Sequence, residues 1–531
     1  MRMMGTGVFA AVLLSVACTD QREPMAPKVS LNLAAGESKQ YVVVFNQPSG
    51  LPQKVEGIVA GAGGKITARL EEIAAIGASS SDPEFAARMK AEQFVKDVSE
   101  DIEVLMIPPA GSVEEFAINA QEAGSSGPAE PAGPDPQPGT EPLYNQQWDK
   151  MRMNASATGS YAVQRGRREV VVGILDTGVE VLPVPHPDIA PNLDVARSRS
   201  FVVPVGAPPG PADGDPAPAS WDDRNGHGSW CASAVAAPIN AVGISGVAPG
   251  VTLVALKVLR DNGRGSFLWL AQALIYAGVN QFDIASMSLG GYVPHSGGQA
   301  LITIVQRAVN FARSNGVTPV AALGNDNFNI SDGNLVRSFI FMPAELPGVI
   351  GVSSTSYTNR KAFYSNYGVG KTDISAPGGG STTFDPMPPT YHGFGRVLGA
   401  WATETIGTFN PVLREEQCEP GAGSVCFYYA WVRGTSMAAP NAAGVAALII
   451  SQYGDFTPDG SRKGHMSPQQ VEAILQQTAN NQPCADNGPY PAPFNIYNAE
   501  CQGTAGGYTS FFGKGIVDAL KAVTQGPGGG S

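Results

Sequence analysis

Nearly continuous apolar runs alternate with helix-patterned stretches through the middle of this chain, and that alternation restricts the fold more than any other feature of it. Val170-Val171-Val172-Gly173-Ile174-Leu175 and Thr252-Leu253-Val254-Ala255-Leu256-Lys257-Val258 read as parallel strands buried on both faces. Phe267 to Val279 has helical periodicity, Ile284 to Leu289 reads as a strand, Ala300 to Asn315 as a helix, and Thr318 to Leu323 as a strand again. The pattern predicts an α/β domain, a parallel sheet with helices on both faces. Ligands of such sheets bind beyond the carboxyl ends of the strands, and Asp176, Ser288 and Asn325 fall at or just after such ends.

Three separated peptides carry an acid, an imidazole and a hydroxyl. They are Ile174-Leu175-Asp176-Thr177-Gly178, Asn225-Gly226-His227-Gly228-Ser229 and Gly434-Thr435-Ser436-Met437-Ala438-Ala439-Pro440. A serine hydroxyl is a poor nucleophile near neutral pH and needs a base beside it. The small and apolar run Ala438 to Ile450 predicts a buried helix beginning just after Ser436, with Pro440 in its first turn, so that Ser436 sits at the positive end of the helix dipole. Ser229 to Ala237 reads as a helix following His227. Unrelated protease folds place these three groups in different orders, so the order Asp, His, Ser is informative. Here it resembles the subtilisin-like serine proteases (subtilases), over about Tyr144 to Val523.

The resemblance implies roles. Ser436 is the nucleophile, His227 its base, and Asp176 the group that holds the imidazole. Ala321-Ala322-Leu323-Gly324-Asn325-Asp326 is similar to the family segment whose Asn donates to the oxyanion, here Asn325. Asp261 to Ser266, with Gly263 and Gly265, and Ser288 to Gly291 look like the two edges that flank an extended peptide. Ser288, Leu289, Gly290, Ala322, Leu323 and Gly324 would line the first side-chain pocket, and without a charge they predict an apolar or broad preference. Four positions depart from the family pattern: Ser229-Trp230 stands for Thr-His, Ser233 for Gly, and Asn441 for His. No cofactor is expected for catalysis. Calcium is common in subtilases, and Asp188, Asp213, Asp215, Asp222 and Asp223 are acidic candidates, but no loop has an EF-hand pattern and metal sites stay unassigned.

The rest of the chain predicts a precursor. Val8 to Leu14 is an apolar stretch too short to span a bilayer, behind Arg2, and residues 1–17 read as a signal peptide. Ser15-Val16-Ala17-Cys18 resembles a lipobox, which makes Cys18 a lipidation candidate, so the protein is expected outside a bacterial cytoplasm, secreted or lipid-anchored. Residues 38–107 look like the inhibitor-type propeptide of subtilases, a small α+β domain with a strand at Tyr41 to Phe45, a helix from Glu84 to Asp97 and a closing strand at Ile102 to Met106. Residues 108–143 form a Pro/Gly-rich linker and 144–523 the catalytic domain; Pro204 to Ser220 and Ser381 to Cys426 read as insertions. Cys418 with Cys426 and Cys484 with Cys501 are plausible local disulfides in an exported protein, which leaves Cys231 as a buried free thiol one turn after His227. The net charge of −12 argues against a general nucleic-acid binder and for a soluble acidic surface. The resemblance implies polypeptide substrates, the protein's own propeptide as inhibitor, and a monomer. A sedolisin-like peptidase would need acidic residues where His227 and Asn325 stand. An aspartic protease would need a second Asp-Thr-Gly or Asp-Ser-Gly, and an α/β-hydrolase would carry its groups in the order Ser, acid, His. An inactive peptide-binding surface lipoprotein would not need the complete set.

Overall fold

The computed structural model describes residues 38–102, 104–105, 139–203, 215–382, 385–403, 414–418, 425–457, 463–484, 489–490, 494–503 and 507–526. The segment read as a signal peptide, Cys18, Asp213 and most of the stretch read as a linker lie outside them.

The N-terminal domain runs β1 (Lys39–Phe45), α1 (Val55–Gly61), β2 (Lys65–Leu70), β3 (Ala75–Ser80), α2 (Phe85–Ala91) and β4 (Val95–Glu100). The sheet is antiparallel in the order β2-β3-β1-β4. Strand alternation divides β1 between two cores. Tyr41, Val43 and Phe45 pack inside the domain with Phe85 and Met89 of α2, whereas Val42 and Val44 point into the core of the catalytic domain. The α+β expectation holds with two corrections. Helix α2 stops at Ala91, because Val95 and Val98 are recruited into β4 beside β1. The segment read as a closing strand does not close this sheet. Its β5 (Val104–Leu105) leaves the domain and pairs elsewhere.

The catalytic domain supplies β6 (Val171–Asp176), β7 (Arg199–Ser200), α3 (His227–Ala236), β8 (Thr252–Lys257), β9 (Arg264–Gly265), α4 (Phe267–Val279), β10 (Ile284–Met287), β11 (Gly291–Pro294), α5 (Gln299–Ser314), β12 (Thr318–Ala322), β13 (Phe339–Met342), β14 (Ile350–Thr355) and β15 (Ile374–Pro377). It continues with β16 (Val397–Trp401), β17 (Arg414–Cys418), β18 (Cys426–Val432) and α6 (Thr435–Tyr453). Seven of these strands form one parallel sheet, ordered β15-β14-β12-β10-β6-β8-β7. Successive side chains serve opposite faces. Val172 and Ile174 join the core beneath α3 and α6, while Val171 and Leu175 join the one beneath α4 and α5. The β1 residues of the N-terminal domain extend the second core.

Helix α6 is buried from Thr435 to Ser451, and its Ala and Gly residues let neighbours approach closely. A methyl group on Gly444 would come within 2.5 Å of Val247. The segment read as the later insertion contributes β16 and β17, and with β18 they make an antiparallel sheet in the order β16-β18-β17, resting on α3. Cys418 and Cys426 face each other across that hairpin and are bonded, as are Cys484 and Cys501. Packing on the catalytic domain begins earlier than the expected 144 boundary: Glu141 and Leu143 are buried, and Leu143 N donates to Gly243 O at 2.8 Å. Among the described residues no helix is long and apolar enough to cross a membrane.

Candidate active site

Asp176 ends β6 and is fully buried, with its carbonyl accepting from Val258 N and Leu259 N. Its Oδ1 accepts from His227 Nδ1 at 2.7 Å and from Thr177 N at 2.7 Å. A carboxylate acceptor keeps the proton on Nδ1, so Nε2 of the neutral ring carries the lone pair that a base needs. Burial alone would lower the His227 pKa, but the attraction and hydrogen bonding to Asp176, with Cys231 beside the ring, together outweigh it and hold it well above 6.5. Cys231 Sγ lies 3.9 Å from Nδ1 and 3.7 Å from Ser436 O, which ties α3 to the start of α6. Burial pushes this thiol up to about 11, so it is neutral at pH 7 and adds no charge to the pair.

The loop before His227 hangs on Asp223, which was read as a metal candidate and does something else. Its Oδ1 accepts from Thr177 Oγ1, Asn225 N and Gly226 N, and its Oδ2 from Ser229 N and Oγ. Thr177 Oγ1 accepts in turn from Gly228 N. Gly226 has φ 98°, and a methyl group there would meet the Trp401 ring at 2.2 Å, so glycine is required on both counts. The Asp-x-Asn spacing before His227 is the signal that sequence reasoning passed over, since Asp side chains accept from backbone N–H groups two residues on.

Ser436 is the second residue of α6 and is 4% exposed. The helix starts two residues earlier than expected, and Pro440 falls in its second turn rather than its first. The position has a use. Proline has no N–H to donate to the carbonyl four residues back, which frees Ser436 O. Ser288 Oγ takes it at 2.7 Å. Asn325 follows the end of β12, and its Oδ1 accepts from Thr435 N and Thr435 Oγ1, both at 2.8 Å, which turns Nδ2 into the free donor end of the amide. Gly324 N donates to Thr435 Oγ1 at 3.1 Å.

The substrate-edge residues divide. Leu289 and Leu323 are core residues, 1% and 0% exposed, so those segments line the site through backbone rather than side chains. Gly263 N donates to Arg260 O in the turn before β9, and Gly265 pairs with Val104 of β5. Thus the stretch following the N-terminal domain already lies antiparallel on this edge. Asp101 Oδ2 accepts from Ser266 Oγ at 2.6 Å, while Ser266 Oγ caps α4 through Leu268 N.

The departures from the family pattern have structural partners. Trp230 Nε1 donates to Ala430 O and Ser233 Oγ accepts from Ala400 N, so both anchor the added sheet. Asn441 accepts from Lys150 Nζ at 2.6 Å and donates to Asp149 Oδ2 at 3.2 Å, completing a buried ion pair.

The four calcium candidates among the described residues, Asp188, Asp215, Asp222 and Asp223, do not make a cation cradle. Asp188 is enclosed by donors, Asn240 Nδ2, Ile244 N and Tyr429 OH, and burial pushes its carboxyl up to about 7. Asp222 accepts from Val181 N and Leu182 N, and Asp215 from Ala217 N. Donors crowd these oxygens where a cation would need bare ones. Among the described residues none of these aspartates joins a cluster of three metal-ligating groups.

The subtilase family profile matches residues 167–499. Subtilisin BL of Lederbergia lenta is 33% identical over 280 residues, 53% of this chain and 76% of that protein. Subtilisin NAT of Bacillus subtilis subsp. natto is 28% identical over 429 residues, 80% of this chain and 84% of that protein. In fold, the chain resembles the epidermin leader peptide processing serine protease of Staphylococcus aureus, with a TM-score of 0.65 over 92% of this chain and 98% of that one, at 19% identity. With the family matched over most of the catalytic domain, and a parallel sheet carrying the Asp, His and Ser peptides at one end, the chain belongs to the subtilase family and is a serine endopeptidase of the subtilisin type.

Proposed function

We propose that the protein is an exported subtilisin-like endopeptidase made as a self-inhibited precursor, with Ser436, His227 and Asp176 as its catalytic groups. The observation that carries this reading is the 2.7 Å Asp176–His227 contact, beside the amino end of the helix bearing Ser436. Ser436 Oγ attacks the scissile carbonyl carbon as its proton passes to His227 Nε2. The oxyanion is held by Asn325 Nδ2 and by Ser436 N. His227 then protonates the leaving amine, and water releases the acyl group by the reverse sequence. Asp176 orients the ring and stabilises its charged form. The His227–Asp176 pair also disfavours a sedolisin-like mechanism, which would need acidic groups in these places.

Residues 38–107 act in this reading as the inhibitory propeptide, 108–143 as the linker cut on maturation, and 1–17 as the export signal. Support comes from β5 lying along β9, the edge a substrate backbone would use. The three side chains and the oxyanion donors carry this chemistry without a cofactor. N-terminal sequencing and intact mass of the wild-type and Ser436→Ala proteins test the whole scheme. Self-cleavage between the two domains is expected in the first only. An uncut wild-type chain, or a Ser436→Ala chain that matures at the same rate, would overturn it. The same mass measurement on exported protein reads the mature N-terminus and any lipid on Cys18.

A further inference from the structure

We propose that Phe341 forms the floor of the first substrate pocket, and that the enzyme therefore cleaves after small residues, Gly, Ala or Ser. This rests on the proposed nucleophile and on 288–290 and 322–324 as pocket walls, and it narrows the apolar or broad preference that the walls alone suggested. Strands β10 and β12 are neighbours, with Met287 opposite Ala321. One wall is tied to the nucleophile residue through Ser288 Oγ, and the other through Gly324 N on Thr435. The side chain preceding the attacked carbonyl must enter between them.

Phe341 occupies that gap. Its strand β13 pairs with β11, with Phe341 opposite Tyr292, and this carries the ring across the inner end of both walls. A methyl group on Gly290 would come within 2.5 Å of the ring, and one on Gly324 within 3.0 Å. The ring therefore fills the space that a methyl group on either wall would need. The ring is 6% exposed and held in place. It stands edge-on to Tyr292, centroids 4.9 Å apart, and Tyr292 OH donates to Asp326 Oδ2 at 3.0 Å and accepts from Asn366 Nδ2 at 2.9 Å. Phe341 N donates to Glu345 Oε1 at 2.7 Å, and Glu345 pairs with Lys371 at 2.7 Å. A methyl or hydroxymethyl group fits above a floor fixed at this height, whereas a leucyl or benzyl group must displace a packed aromatic ring.

Pocket misfits of this kind discriminate roughly 10- to 200-fold. The test uses the processed enzyme and fluorogenic peptides identical except for Ala, Leu or Phe before the cleaved bond. The wild type is expected to show kcat/KM for Ala at least about tenfold above Phe. Phe341→Gly should raise the ratio of kcat/KM for Leu or Phe over Ala about tenfold or more, and Phe341→Val should fall between. A wild type preferring Phe or Leu overturns the inference even if neither variant folds, and so does a Phe341→Gly enzyme with an unchanged ratio. Labelling by a fluorophosphonate, lost in Ser436→Ala, is read on the same samples. A labelled enzyme with the wrong preference sinks only the pocket floor, whereas an unlabelled and inert wild type sinks the nucleophile assignment and the floor with it.

Discussion

The N-terminal domain and the site around Ser436 are held by opposite means. The N-terminal domain is a small sheet whose own core gathers around Phe45, Phe85 and Met89, with part of its apolar surface turned outward onto α4 and α5. Domains of about 60 residues bury too little surface to be robust alone, so this one depends on its neighbour. Arg307 of α5 makes the dependence explicit, donating to Ile73 O, Ala74 O and Phe45 O. The catalytic groups instead stand on elements buried on every side, α6 above all. In the proposed scheme the domain to be released rests on shared surface, and the site stands on enclosed surface.

The sharpest way to break this contrast is Ser436→Ala. Both cores stay intact, so the melting temperature should move little, while peptide hydrolysis disappears. In subtilisin, a relative on which the loss has been measured, it is about 2 × 10⁶ in kcat. Next is Asn325→Ala, expected to cost about 10²–10³ in kcat with little change in KM, again a magnitude established on subtilisin. A large KM effect instead would make Asn325 a ground-state binding group.

The His227 proton gives the third test. The ring must be neutral to act, and Asp176 holds its pKa well above 6.5, so kcat/KM should rise about tenfold per pH unit through a midpoint above 6.5. A pH–rate profile with an acid limb below that value would contradict the pairing with Asp176.

Two smaller effects concern the N-terminal domain alone. Arg307→Ala removes a charged donor from three carbonyls. It should weaken inhibition by the added 38–107 polypeptide about 10- to 100-fold and leave kcat of the mature enzyme unchanged. Asp101 should make docking pH-dependent. Burial against the catalytic domain raises its carboxyl to about 6, only partly offset by Ser266 and Leu268 N, and its Oδ1 is enclosed without a partner. The docked state thus favours the proton. Its extra stability is complete below the ordinary carboxyl range near 3.8 and is lost as pH rises through about 6. Inhibition constants measured at pH 4.5 and 7 should weaken by about tenfold, and Asp101→Asn should flatten the difference.

Much of the site was legible because its parts are local. Asp176 ends a strand that its own apolar run announces, His227 opens a helix, and Ser436 precedes a long small-residue run. What escaped is pairing across distance. Asp223 looked like one of several surface carboxylates until five donors converged on it. Ser229, Trp230 and Ser233 were departures without a reason until Ser229 fell on Asp223 and the other two on the backbone of β18 and β16. The helix predicted through Asp97 failed in the same way, since Val95 and Val98 gain more beside β1 than a continued helix could give them.

By itself the sequence determined the two-faced sheet, the helices that cover it and the order of the three reacting groups. Each of these is written in the period or spacing of neighbouring residues. The tertiary structure alone decided which carbonyl Pro440 releases and which hydroxyl takes it, which loop Asp223 organises, and how deep a side chain can reach before it meets Phe341. Those outcomes depend on distances between residues remote in the chain, and such distances exist only once close packing has fixed the elements against one another.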